Sequence, residues 1–228
     1  MPQFDQEAFN RFVLDNNAIG FFEKPLTLKS GRQSHLYVNW RTVVSDVWLT
    51  EKLVGFVTDF VRANEIPVDT FYGVPEGATK LGVLTQYAWA HSSSNYSSGS
   101  HTLAMGRAKP KDHGAPQDRY FVGAPKGRVA VLEDTTTTGG ALITTLEFLR
   151  DSGVDVAAVI TLTDRMEKRD DGLSVRQAVE AKGFKYYSLS RAPELLPELA
   201  SRLQPSAEVI AAIESEYRDH GVQPVVLK

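Results

Sequence analysis

The chain contains no cysteine. That single absence excludes disulfides, cysteine-ligated zinc, iron–sulfur clusters and a thiol nucleophile, and it fits a reducing, cytoplasmic setting. Long apolar runs are missing as well. The strongest, Val156 to Leu162, is interrupted by Thr161 and falls far short of the roughly 18 residues that a membrane helix needs. Met1 to Gln6 are polar and acidic, unlike a secretory signal. Nor does charge of one sign dominate: Lys+Arg 25 against Asp+Glu 28 leaves a net charge of −3. This balance argues against a nucleic-acid coat or a polybasic membrane binder, but it leaves room for a local basic pocket. The expectation is a soluble cytoplasmic protein that binds neither nucleic acid nor membrane.

What is present is enough chain, 228 residues, to bury a hydrophobic core unaided. Residues 5–18 carry Ala8, Phe9, Phe12 and Val13 at helical spacing. Pro25 forbids a helix between Ile19 and Leu28, and Leu36 to Trp40 reads as a strand. Ser45 is the expected N-cap of a helix running to about Asn64. Strands are expected at Thr70–Val74, Thr102–Met105, Arg128–Leu132, Val154–Leu162 and Lys185–Leu189. Helices are expected at about 79–91, 141–150 and 173–182 and over most of the last forty residues, with Ser206 as a cap.

Residues 91–101 are Ser-rich and read as a surface loop. Within them, Asn95-Tyr96-Ser97 matches a glycosylation acceptor by coincidence. Residues 107–120 are charged and hold Pro110, Gly114 and Pro116, so they read as a long mobile loop. Phe4, Phe9, Trp48 and Phe60 are expected in the core. His35, His91, His101 and His220 lack the spacing of metal ligands. The alternation of strands and helices predicts an α/β fold: a mostly parallel central sheet flanked by helices. Residues 1–45 break that rhythm and are expected to form a small layer over one end of the sheet.

One segment decides the chemistry. From Val129 to Leu132 the chain is apolar; Glu133 and Asp134 follow, then Thr135, Thr136, Thr137, Thr138, Gly139 and Gly140, then a helix. Ligands of open α/β sheets bind at the carboxyl ends of strands. Inward-turned amides, threonine hydroxyls and a helix N-terminus together make a phosphate cradle. The two carboxylates cannot bind phosphate; they suit sugar hydroxyls or a divalent cation. No Gly-Lys-Ser/Thr closes the turn, so it is not a Walker loop.

This run resembles the phosphoribosyl-diphosphate (PRPP) motif of type I phosphoribosyltransferases. Three further segments resemble the orotate branch of that family: Leu28 to Ser34 with Tyr37 nearby, Arg107 to Gly114, and Asp164-Arg165. The resemblance spans roughly residues 20–190. It implies one domain, with an N-terminal hood (1–45), a PRPP-binding core (46–190) and C-terminal helices (191–228). The implied reaction is Mg²⁺-dependent transfer of the phosphoribosyl group from PRPP to orotate, giving orotidine 5′-monophosphate and pyrophosphate in pyrimidine biosynthesis.

Under the resemblance, Thr135 to Gly140 hold the 5′-phosphate, while Glu133 and Asp134 hold the ribose hydroxyls near the developing positive charge. Lys80 faces the pyrophosphate. Arg107, Lys109, Lys111 and His113 act from a lid that reaches the neighbouring site of a homodimer. Lys29, Tyr37, Val38, Thr137 and Arg165 receive orotate, with Arg165 on its carboxylate. Mg²⁺ is expected on PRPP oxygens and water, with no dedicated protein ligand. The family usually has Lys directly after the lid Arg; here Ala108 stands there and Lys109 follows. Transfer to another base and a non-catalytic PRPP sensor are the rival readings.

Overall fold

The structure, a computed structural model, describes residues 4–28, 31–107, 109, 111–113 and 119–227. Helix α1 (Gln6–Asp15) leads into the hairpin β1 (Ile19–Thr27) and β2 (Gln33–Val38), followed by a short 3-10 turn at Val43–Ser45. Then come α2 (Val47–Ala63), β3 (Thr70–Gly73), α3 (Thr79–His91), β4 (Met105–Gly106) and β5 (Phe121–Val122). The second half runs β6 (Arg128–Thr136), α4 (Gly140–Asp151), β7 (Asp155–Asp164), α5 (Val175–Glu180), β8 (Tyr186–Arg191), α6 (Ala192–Leu203) and α7 (Ala207–His220).

Among the described residues, the central sheet is β3-β6-β7-β8, all parallel. A parallel sheet covered on both faces needs strands that are apolar on both faces. Ala130, Leu132, Ala158, Ile160 and Leu162 face one side, packed against α1, α2, α6 and α7. Val129, Val131 and Val159 face the other, packed against Leu142 and Leu146 of α4 and Val175 and Val179 of α5. The cover is unequal, thick on the first face and thin on the second. The first 45 residues belong to the thick side: Phe9, Val13, Ile19, Leu36 and Trp40 are buried in the same cluster as Ile160 and Leu196.

Several local expectations are corrected. Asp46, not Ser45, caps α2: its carboxylate accepts the Leu49 amide at 2.9 Å, while the Ser45 hydroxyl donates to the Thr42 carbonyl at 2.8 Å. Trp48 is 62% exposed on the first turn of α2, with Lys52 over its ring. The strand expected at Thr102–Met105 shrinks to Met105–Gly106, because the Thr102 carbonyl is taken by the Gln86 side chain at 2.8 Å. Gln86 also accepts the Phe71 amide at 2.9 Å, occupying the outer edge of β3. The helix expected at 173–182 is the shorter α5, opened by a Ser174–Gln177 capping box. The Ser206 cap holds, accepting the Val209 amide. No helix among the described residues is long and apolar enough to cross a membrane.

Candidate active site

Strand β6 runs past Leu132 and carries Glu133 and Asp134 within its last turns of pleat, ending at Thr136. Its partner β7 ends beside it, with Thr136 opposite Asp164. The Arg165 amide donates to the Thr136 carbonyl at 3.0 Å. Adjacent strand ends therefore launch both the Thr-Gly turn and Arg165 from one edge, where open α/β sheets bind ligands.

The turn closes on Gly139 at φ +66°, where an added Cβ would lie 2.8 Å from Val175. Only glycine meets both conditions. Helix α4 then starts at Gly140 with no side chain capping it, so its first amides and positive end face the turn. Within the turn the threonines diverge. The Thr136 hydroxyl points inward to Tyr186 at 2.8 Å, and Tyr186 in turn donates to Asp164 at 2.9 Å. The alternate-face position of Thr136 on β6 thus turns its side chain into the core, away from the neighbouring threonines. Thr137, Thr138 and Gly139 are half-buried and Gly140 is exposed. The Thr135 hydroxyl is buried without a hydrogen-bond partner in the structure.

Burial raises Asp164 and pushes Tyr186 well above the usual phenol range, so the pair under the turn is a held network. Arg169 donates to the Thr138 carbonyl from the other side and fixes the turn's outer lip.

Glu133 is 7% exposed and Asp134 is half-buried. Asp134 accepts the Thr135 amide at 2.7 Å. The turn after β3 passes directly over it: a Cβ on Gly77 would lie 2.7 Å from the Asp134 carboxylate. That turn has a cis peptide between Pro75 and Glu76 and delivers Lys80, exposed, on the first turn of α3. Among the described residues, no three His, Asp or Glu side chains converge as a metal cage. Two adjacent acids fit a hydrated Mg²⁺ that brings most of its oxygen ligands with it.

Ala104 and Phe121, which flank residues 107–120, pack with Tyr72 and Val74. Beyond the β4–β5 pair, the Arg107 amide donates to the Tyr120 carbonyl and the Lys111 amide to the Arg119 carbonyl, both at 2.9 Å. Lys109, Lys111 and His113 are exposed and Arg107 is half-buried. Ala108 and 114–118 lie outside the described residues.

The base end was expected at Lys29, Tyr37, Val38, Thr137 and Arg165. Lys29 lies outside the described residues. Tyr37 and Val38 are half-buried on β2, paired with Gly20 and Ile19, and the Tyr37 ring packs 4.4 Å from Phe22. Arg165 adjoins them, its Nη1 donating to the Leu36 carbonyl at 3.0 Å.

The guanidinium, however, is 2% exposed and already engaged. Nε meets Glu167 at 2.5 Å, while Nη2 meets Glu216 at 2.9 Å and the Ser34 hydroxyl at 3.0 Å. In this structure two protein carboxylates hold the guanidinium expected to receive the substrate carboxylate. Sequence reading missed Ser34, Glu167 and Glu216. The spacing Asp164-Arg165-Met166-Glu167 offers a signal for Glu167, but nothing local marks Glu216, which reaches Arg165 from α7.

An open parallel sheet whose central strand ends in two acids and passes through a Thr-Gly turn into an uncapped helix defines a type I phosphoribosyltransferase. No family model matches the chain. The orotate phosphoribosyltransferase of Rhodopseudomonas palustris strain BisB5 is 31% identical over 193 residues, covering 81% of this chain and 92% of that protein. The orotate phosphoribosyltransferase of Francisella tularensis superposes with a TM-score of 0.67 at 20% identity, covering 94% of this chain and 99% of that one. The Mycobacterium tuberculosis enzyme, solved in complex with 5-phospho-α-D-ribosyl 1-diphosphate, superposes at 0.56 with 22% identity, covering 83% and 98%. The chain belongs to the orotate phosphoribosyltransferase family.

Proposed function

We propose that this protein joins orotate to PRPP. A base nitrogen attacks the anomeric carbon of the ribose, and the bond to the diphosphate oxygen breaks with its electron pair leaving on pyrophosphate. The product is orotidine 5′-monophosphate. The observation that carries this reading is the convergence at one sheet edge: Glu133 and Asp134 on β6, the Gly139 turn with the uncapped α4, and Arg165 one strand away.

Each group has a role that its chemistry suits. The amides at the start of α4, with Thr135, Thr137 and Thr138, take the 5′-phosphate. Glu133 and Asp134 accept hydrogen bonds from the ribose hydroxyls and lie near the positive charge that develops on the ring. Lys80, Arg107, Lys109 and Lys111 face the departing pyrophosphate. His113 supplies a proton or a hydrogen bond to it. Lys29, the Tyr37–Val38 backbone, Thr137 and Arg165 receive the base. Glu133 and Asp134 are the acids that would lie nearest a hydrated Mg²⁺, which would supply positive charge against the diphosphate.

The segment bearing Lys111 and His113 serves as a lid that excludes water, and we read it as reaching the neighbouring site in a homodimer. The absence of cysteine supports a cytoplasmic setting. The test is direct: mix purified protein with orotate, PRPP and Mg²⁺ and follow the loss of orotate absorbance. Loss that requires all three components is expected. No loss with orotate, but turnover of a purine, would move the assignment to another base.

A further inference from the structure

We propose that Glu216 is a positioning residue that occupies Arg165 in place of the substrate's carboxylate, and that it surrenders Arg165 by taking up a proton when orotate binds. This inference rests on the reading that Arg165 receives orotate.

Arg165 is buried and faces two carboxylates, Glu167 on Nε and Glu216 on Nη2. Among the described residues one further guanidinium borders the cluster: Arg32 Nη1 lies 3.6 Å from Glu167 Oε2, with its own side chain 16% exposed and shared with Asp170. Arg165 itself thus already carries two carboxylates. A third, arriving on the substrate, would compete with Glu216 for Nη2, and the two carboxylates would repel each other there. A charge in such surroundings is usually resolved by protonation rather than tolerated.

Geometry selects which acid yields. Glu167 is 1% exposed and held between Arg165 and Arg32, so losing its charge would strand both. Glu216 has one guanidinium partner. Its Oε1 takes Arg165 Nη2, and its Oε2 accepts the Ser34 hydroxyl at 2.9 Å. A neutral Glu216 can keep a hydrogen bond to Ser34 while releasing Nη2. The groups facing it from β2 are Ser34 and His35, those after β7 are Arg165 and Glu167, and its neighbour on α7 is Tyr217, whose hydroxyl donates to the Arg165 carbonyl at 2.8 Å. Burial and then Glu167 push the Glu216 carboxyl above the usual range, while Arg165, Ser34 and His35 pull it down, and burial prevails. Proton uptake is easier here than at an ordinary surface glutamate.

The position matches the role. Arg165 Nη1 holds the Leu36 carbonyl, one residue before the Tyr37–Val38 backbone. Releasing Nη2 from Glu216 frees one donor of the guanidinium on the side of Ser34 and β2. One hydrogen bond to the substrate carboxylate then replaces one to Glu216, and the count at Arg165 is unchanged.

The experiment compares orotidine 5′-monophosphate with uridine 5′-monophosphate, which differ by the base carboxylate alone. Calorimetric titration of the full chain in buffers of different ionisation enthalpy reads the protons taken up by each. The unaltered protein is expected to take up more protons with the orotidine nucleotide, and Glu216→Gln to abolish the difference. In steady state, the KM for orotate of the unaltered protein rises with pH, approaching tenfold per unit where a whole proton is taken up on binding, as one-proton linkage requires. In Glu216→Gln the KM for orotate is flat with pH, while the KM for PRPP has the same pH profile in both proteins. Equal proton counts for the two nucleotides, or a retained slope in Glu216→Gln, overturns the proposal. Should Glu216→Gln fail to fold, the proton count of the unaltered protein decides alone. Absence of any orotate turnover would instead overturn the assignment of substrate.

Discussion

Lys111 and Arg165 carry the same charge in opposite surroundings, and the difference dictates how each can be probed. Lys111 lies exposed, so truncation removes an ammonium and little packing. Lys111→Ala is expected to lower kcat by about a hundredfold, the scale of losing one donor to a developing charge, while the KM for PRPP moves much less. Steady-state kinetics check this; an unchanged kcat would remove Lys111 from the leaving-group role. Arg165→Ala would leave half-buried Glu216 without its guanidinium partner and Glu167 with Arg32 alone, a loss of about 3–5 kcal/mol. Its kinetics would report damage to the fold along with any loss of binding.

Both residues stand out in the sequence, because each sits in a short motif. Neither motif tells that one of them is surrounded. The residues around Arg165 come from β2 and α7, and contacts between elements so distant in the chain leave no periodicity behind. The same limit applies at Thr136: four threonines in a row look alike until the pleat of β6 sends one to Tyr186.

At the scale of elements, caps and ties decide boundaries. Ser45 and Asp46 are both good N-caps, and the 3-10 turn before α2 settles the choice by consuming the serine hydroxyl. Asp46→Ala is expected to destabilise the protein by about 1 kcal/mol, with Ser45→Ala smaller, as read by denaturant unfolding. The mouths of β3 and β6 are tied by Asp69, which accepts from Arg128 Nε, Nη2 and backbone N, each at 2.8 Å. Those bonds hold its carboxyl at about 2, below its ordinary 3.8.

Between those values the unfolded chain binds more protons than the folded one, so this tie contributes fully above about pH 4 and is lost as pH falls through about 2. Asp69→Asn is expected to lower the Tm at pH 7, with the gap closing by pH 2 in a thermal-melt series. Elements with strong local signals, such as α3 over 79–91 and the Ser206 cap, were legible from sequence. The strand expected at Thr102–Met105 was not, because its carbonyl is claimed by Gln86, sixteen residues earlier.

Across the whole molecule, the parallel sheet with helices on both faces could be read from the alternation of apolar strands and amphipathic helices, since that rhythm is itself the consequence of burying both faces. The unequal cover could not, nor could the merging of the first 45 residues with the thick side, because hydrophobic patterning says that a face is buried without saying by what. Register joins these scales. The acid pair, the Gly139 turn and Arg165 are spaced by the hydrogen-bond ladder in which Thr136 meets Asp164.

That ladder divides the molecule by its tolerance of length change. An insertion between Lys111 and Arg119 falls outside the β3-β6-β7-β8 ladder and leaves its register untouched. One residue added within β6 or β7 shifts the Gly139 turn past Arg165 by a full pleat step and turns one of them to the wrong face. Descendants of this chain are thus free to vary in length between Lys111 and Arg119 while the two strands stay locked in step.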